Sequence, residues 1–271
     1  MDIKEIDIKK IKEIQLNILA ELHQVCVDND LQYSLAGGTL LGAVRHKGYI
    51  PWDDDIDVIM TRKNYEMLID FYKNNNTKYK LIAHEVDNSY GYLAAKIIDK
   101  ETILEEINCN NNHLGVYIDI FPIDYLGDTY KQAVKNLNST RFLRELLVAR
   151  NWKNFFRSRT KPLYYEPIRF TFYILSRFTS VKALINKINK KNKKFSRKSS
   201  KFAGCICGVY RKKEIMDSTT FNNYELLEFE NKKFSCITMY DNYLKSLYGE
   251  YMKLPPKEKQ VSHHSFKAYY K

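Results

Sequence analysis

The stretch from Leu35 to Met60, LAGGTLLGAVRHKGYIPWDDDIDVIM, limits what this 271-residue chain can fold into more tightly than any other. It sets a double-glycine turn and a short helix ahead of a strand that carries four aspartates in five positions. Tyr33 to Ala36 is short and apolar, as a strand is. Gly37 and Gly38 let the backbone turn sharply and approach a ligand with no Cβ in the way. Thr39 to His46 has room for about two helical turns, with Thr39 placed to cap. The N–H groups and positive dipole end of such a helix start favour a phosphate. Gly48 and Pro51 then interrupt the chain, and Asp55 to Met60 reads as the next strand. Side chains alternate along a strand, so Asp55 and Asp57 share one face about 7 Å apart while Ile56 and Val58 point to the core. Asp53 falls on the same side if the extended conformation reaches back to it, and Asp54 faces away. Unpaired, these carboxylates would repel one another and lose solvation on folding. A hard divalent cation, Mg²⁺ or in its place Mn²⁺, is the simplest remedy.

A site of that kind calls for a third carboxylate from elsewhere. In Gly115-Val-Tyr-Ile-Asp-Ile-Phe-Pro-Ile-Asp124, Asp119 sits inside an apolar, β-branched run, a costly position unless paired or metal-bound. Asp124 is the rival, but it follows Pro122 and reads as strand-end or loop chemistry. Arg45, at the end of the short helix, suits either bidentate phosphate binding or an ion pair with a neighbouring aspartate. Lys96 interrupts the apolar run Tyr92–Asp99 and suits either a phosphate contact or an edge-strand lysine. His46 reads as structural, and Trp52 as packing or as a surface for a base.

The first block, together with YIDIFPID (117–124) and YLKSLYGEYMKLPPKEKQVSHH (243–264), resembles the LicD family of phosphocholine-transferase-like proteins. The three blocks lie far apart in the chain, so the resemblance spans nearly its whole length, while residues 128–200 match no motif. The resemblance implies a nucleotidyltransferase-type fold, α/β (α+β) with a mixed sheet core flanked by helices. It also implies transfer of a phospho-alcohol from a CDP-activated donor, CDP-choline before others, to a hydroxyl of a lipid-linked or surface glycan such as a teichoic acid, lipopolysaccharide or capsule precursor. By motif position Asp55 and Asp57 would bind Mg²⁺ and Asp119 would complete the site. Gly37, Gly38, Thr39 and His263 would meet donor phosphate. Two other readings share these residues: a nucleotidyltransferase that spends an NTP on RNA or a small molecule, and a non-catalytic basic adaptor whose aspartates are surface decoration.

Length allows a single catalytic domain over residues 1–271 with a substantial core, at about 1–127 and 202–271, and a basic helical insertion at about 128–201. Five cysteines at no metal-finger spacing suit a reducing compartment, and Cys205-Ile-Cys207 is too tight for a zinc pair. No run approaches the roughly 20 apolar residues that span a bilayer, and the N-terminal residues lack an apolar signal core, so the expected place is the cytoplasm, at the inner face of the membrane. Apolar residues at 11, 14, 18, 22 and 25 predict a helix over 3–28, and 62–74 reads as another. Strand-like runs fall at 81–86, 92–98, 102–107 and 115–121. Residues 128–156 and 162–195 read as helical, 229–237 as a hairpin about Asn231-Lys232, and 240–251 as a closing helix.

Charge is unevenly distributed. Residues 141–213 carry 21 Lys or Arg against Glu145 and Glu166 alone, a net +19, whereas the rest, with 23 basic and 30 acidic residues, is net −7. An aromatic patch at 168–178 precedes nine basic residues between Lys182 and Lys201. A basic amphipathic helix beside aromatics suits an anionic membrane surface, here expected through 162–201. Nucleic acid would use the same charge, but the lipid-linked acceptors implied by the resemblance favour the membrane.

Overall fold

The computed structural model describes residues 5–106, 108, 114–158, 161–196, 198–261 and 266–271. The first helix, α1 (Ile8–Asp28), starts where Asp7 accepts a hydrogen bond from the Lys10 N–H at 2.9 Å. Its residues 11, 14, 18, 22 and 25 are all buried, as the periodicity requires. After β1 (Ser34–Leu35) come α2 (Gly37–His46), β2 (Asp57–Thr61) and α3 (Arg62–Asn74). Then follow β3 (Lys80–Ile82), β4 (Ala95–Ile98), β5 (Thr102–Glu106) and the long β6 (Tyr117–Gly127). Four helices separate β6 from the next strand: α4 (Tyr130–Ser139), α5 (Arg141–Asn151), α6 (Glu166–Arg177) and α7 (Val181–Ser196). The chain closes with β7 (Phe202–Cys205), β8 (Met216–Asp217), β9 (Tyr224–Phe229), β10 (Lys232–Ile237), α8 (Tyr240–Tyr248) and β11 (Phe266–Tyr270).

The fold is a mixed α/β arrangement around a mixed sheet in the order β1-β2-β6-β4-β3, flanked by helices. β2 and β6 are parallel, and β1–β2, β6–β4 and β4–β3 are antiparallel. β6 is long enough to serve two neighbours on one side. Its first half pairs with β4 and its second half with β7, which carries β8. β2 and β4 are apolar runs buried among other strands, as central strands are. The main core joins α1, α2, α3 and the sheet to the β9–β10 hairpin and α8.

Several boundaries differ from the sequence expectation for local reasons. The helix after the double glycine begins at Gly37 with Ala36 as its N-cap, so Thr39 lies inside it and does not cap. β2 begins at Asp57, two residues later than expected, because Asp53 N–H donates to the Ile50 carbonyl in a turn. The hairpin turn is centred on Glu230-Asn231, both at positive φ, one residue earlier than expected and of the two-residue kind that matches strand twist. The helical stretch 128–156 divides at Thr140 into α4 and α5.

Candidate active site

Sheet register assembles the site. On the parallel β2–β6 pair Asp57 is the partner of Asp119, and on the antiparallel β6–β4 pair Asp119 is the partner of Lys96. Register partners present their side chains on the same face, so Asp57, Asp119 and Lys96 form a row across three adjacent strands spaced about 4.8 Å apart. Lys96 Nζ donates to both Asp119 carboxylate oxygens at 2.7 and 2.9 Å and lies 3.4 Å from the centre of the Tyr117 ring. The lysine is buried on a central strand, which excludes the edge-strand reading. Asp124, five residues beyond Asp119 and thus on the opposite face, forms a buried bidentate pair with Arg62 at 2.8 and 2.7 Å. Of the two rival carboxylates only Asp119 reaches the site.

The glycine turn is tied directly to this row. The Asp57 carbonyl accepts from Ala36 N–H at 2.9 Å, and the Asp57 N–H donates to Thr39 Oγ1 at 2.9 Å. Thr39 is buried with its hydroxyl oxygen engaged by Asp57, so it holds the strand in place and does not line the pocket. Gly37 has φ +53°, and a Cβ there would lie 3.0 Å from Asp57 Oδ2; a Cβ on Gly38 would collide with Asp53 Oδ2. Each glycine is therefore fixed by an aspartate. Alternation reaches back ahead of the strand, and Asp53 lines the pocket together with Asp55, Asp57 and Asp119 while Asp54 does not. Asp54 is buried, its carbonyl accepts from Gln15 Nε2, and one of its carboxylate oxygens lies within 4.8 Å of those of Asp53 and Asp55.

Desolvation pushes the Asp57 carboxyl well above the ordinary carboxylate range; Asp55, Asp119 and Asp53 push in the same direction, and Lys96 opposes them. Asp53, Asp55, Asp57 and Asp119 line one pocket, and their all-oxygen donor set fits a hard divalent cation.

These residues line a cavity of about 650 Å³. Gly37, Gly38, Arg45 and Trp52 enter it from the glycine–aspartate segment, and Tyr210, Glu214, Tyr243, Tyr248 and Tyr251 from the C-terminal third.

The sequence model of the LicD/FKTN/FKRP nucleotidyltransferase domain matches residues 30–172. The chain is 30% identical to the lipopolysaccharide cholinephosphotransferase LicD of Haemophilus influenzae over 282 aligned residues, 98% of this chain and 99% of that protein. The chain belongs to the LicD family. Two uncharacterized proteins, from Rickettsia typhi and Rickettsia prowazekii, are 40% and 46% identical over 57 and 41 residues, which cover 21% and 15% of this chain and 18% and 15% of theirs.

In this LicD-family chain Arg45 is held by the C-terminal region. Its Nη1 donates to the Tyr251 carbonyl at 2.6 Å and its Nε to His46 Nε2 at 2.9 Å, while the residue lines the cavity. Trp52 lines it as well and meets the His46 ring edge-on. His263 lies outside the described residues. Sequence reasoning missed the opposite wall. Tyr210 and Tyr248 meet edge-on with ring centres 5.2 Å apart, and burial raises both phenols above their ordinary value. Tyr243 is hydrogen-bonded to the Gly37 backbone. Glu214 is buried and accepts from Tyr210 N–H at 3.2 Å, and burial pushes its carboxyl up to about 7. A Cβ on Gly208 would collide with the Glu214 carboxylate, so Cys207-Gly208 was the available sign of a loop folded against an acid. For Tyr210 the sequence offered none.

Proposed function

We propose that this chain transfers phosphocholine from a CDP-activated donor to a hydroxyl of a lipopolysaccharide or related surface glycan. The observation that carries the proposal is the carboxylate row set against the glycine turn at one end of an aromatic-lined cavity. Similarity to a lipopolysaccharide cholinephosphotransferase over nearly both whole chains supports the same choice. Trp52, Tyr210 and Tyr248 suit a quaternary ammonium, which aromatic faces attract without requiring a hydrogen bond.

In this mechanism Gly37 and Gly38 bring backbone close to the donor diphosphate at the start of α2, whose dipole favours negative charge, and Arg45 offers a cation beside it. Asp55, Asp57 and Asp119 would hold Mg²⁺ or Mn²⁺, which when bound supplies charge neutralisation for the diphosphate. The acceptor oxygen bonds to the choline-bearing phosphorus, and the bond from that phosphorus to the bridging oxygen breaks. CMP departs with the electron pair, and Asp119 takes the hydroxyl proton. Lys96 keeps Asp119 in place for that step. Among the described residues, no helix is long and apolar enough to cross a membrane.

The test uses CDP-choline labelled in either the choline or the cytidine, with lipopolysaccharide lacking phosphocholine as acceptor and Mg²⁺ or EDTA in solution. Choline label in the glycan, dependent on Mg²⁺ and abolished in a folded Asp57→Asn variant, is expected. Cytidine label in the glycan would replace the proposal with nucleotidyl transfer, and full activity of Asp57→Asn would remove the carboxylate site.

A further inference from the structure

The helical segment between β6 and β7 contains a helix whose solvent face is apolar. A surface helix buries its apolar stripe and exposes its charges. α7 follows that rule, with Leu184, Ile185 and Ile188 buried against Leu146 and Leu147 of α5. α6 departs from it by exposing a second apolar face. At 100° per residue, its exposed positions 167, 168, 170, 171, 174 and 175, and Phe178 just beyond it, fall on one continuous arc of roughly 160°. That arc carries Ile168, Phe170, Ile174, Leu175 and Phe178 and no charged residue. The inner side holds Arg169, Ser176 and Arg177 together with Tyr173 and with Phe172, which packs on the α5–α7 cluster. Arg169 pairs with Glu166 at 2.7 Å and stacks on Trp152, and Arg177 donates to the Trp152 carbonyl at 3.2 Å and to the Ala149 carbonyl. Half-buried arginines bonded on the inner side thus help fix an apolar face on the outer side. Phe178 is 84% exposed and Leu163, in the turn leading into α6, 64%. A contiguous outward patch of this kind marks an interaction surface.

Charge identifies the occupant. Lys153, Arg157 and Lys161, all exposed, lie in the loop that leads into this patch. The two acids of segment 141–213 are each within ion-pair distance of an arginine, Glu166 of Arg169 and Glu145 of Arg211 at 3.5 Å. An apolar, aromatic face bordered by these exposed cations is complementary to an anionic lipid bilayer, into which the side chains insert while the cations meet headgroups. We propose that the outer face of α6, with Leu163 and the exposed cations Lys153, Arg157 and Lys161, is a docking surface for anionic membrane. This narrows to α6 and its approach the contact that sequence placed over 162–201, because the apolar stripe of α7 is already used. The inference does not rest on the transferase reading.

The test is flotation of the full chain with vesicles of phosphatidylcholine alone or with 30 mol % phosphatidylglycerol, at 0.1 and 0.5 M NaCl. We expect association with the anionic vesicles, weakened at least 10-fold by the higher salt. The Leu163→Ser/Ile168→Ser/Phe178→Ser variant should lose association at unchanged thermal midpoint, because all three side chains are exposed. Lys153→Gln/Arg157→Gln/Lys161→Gln should weaken it by about 100-fold. Equal flotation of the apolar triple variant and the parent, or none by the parent at 0.1 M NaCl, overturns the proposal. So does equal binding to neutral vesicles, or retention on homopolymeric RNA without vesicle binding. A dimer in sedimentation velocity that the triple variant dissociates, again without vesicle binding, would assign the face to a second copy of the chain and likewise overturn it.

Discussion

Replacing Lys96 by methionine tests the central electrostatic argument. The lysine is 5% exposed on a central strand, and it donates to both oxygens of Asp119, whose side chain is 16% exposed. Methionine preserves length and most of the packing on the Tyr117 ring but removes the cation. Asp119 is then left beside Asp57, which is already pushed toward its neutral form by desolvation and by neighbouring carboxylates. Removing one partner of a buried pair costs about 3–5 kcal/mol, mostly because the other charge remains buried without compensation. For a chain of this length that corresponds to a fall in thermal midpoint of about 5–9 °C. Urea unfolding at pH 7.5 without divalent metal provides the measurement, extended to a cycle with Asp119→Asn. The double variant should be less destabilised than the sum of the single ones by at least about 1 kcal/mol, since each substitution removes what the other leaves unpaired. A Lys96→Met cost below about 1 kcal/mol, or strict additivity, would refute the argument that this pair holds the carboxylate row together.

Three further outcomes follow from the site. Mg²⁺ at about 100 times its Kd should stabilise the parent by about 2.7 kcal/mol, or about 5 °C, and leave Asp57→Asn unmoved; a shift retained in that variant would exclude Asp57 as a ligand. Gly37→Ala should cost about 1–2 kcal/mol from the positive φ alone, more if Asp57 Oδ2 must move, and parental stability in urea would contradict that backbone conformation. Glu214, held at about 7 by burial, keeps a proton in the folded protein that the unfolded chain has released. Its contribution to stability is therefore present at acidic pH and lost as pH rises from the ordinary glutamate range through 7, by about 3 kcal/mol in all. Glu214→Gln should flatten that slope between pH 5 and 8, and an unchanged slope would dismiss the cause.

The sequence by itself determined what depends on neighbours along the chain. The α1 periodicity, the double glycine beside an aspartate strand and the strand-borne Asp119 were legible because helix and strand repeats are local geometry. Alternation also put Asp53 on the face of Asp55 and Asp57, where it lines the pocket, and Asp54 off it, beside α1 and β11. Only the tertiary structure decided that Lys96 belongs to Asp119, since that pairing is a register between β4 and β6 with no signature in either strand. It also decided that Asp124 belongs to Arg62, and that Tyr210, Glu214 and Tyr248 close the cavity from segments more than 150 residues beyond Asp57. The helices divide in the same way. Composition located the basic, aromatic segment, but which helix would bury its apolar stripe was settled by packing: α5 took that of α7 and left that of α6 outside. Local pattern specifies which side chains share a face, and long-range contact specifies what that face meets.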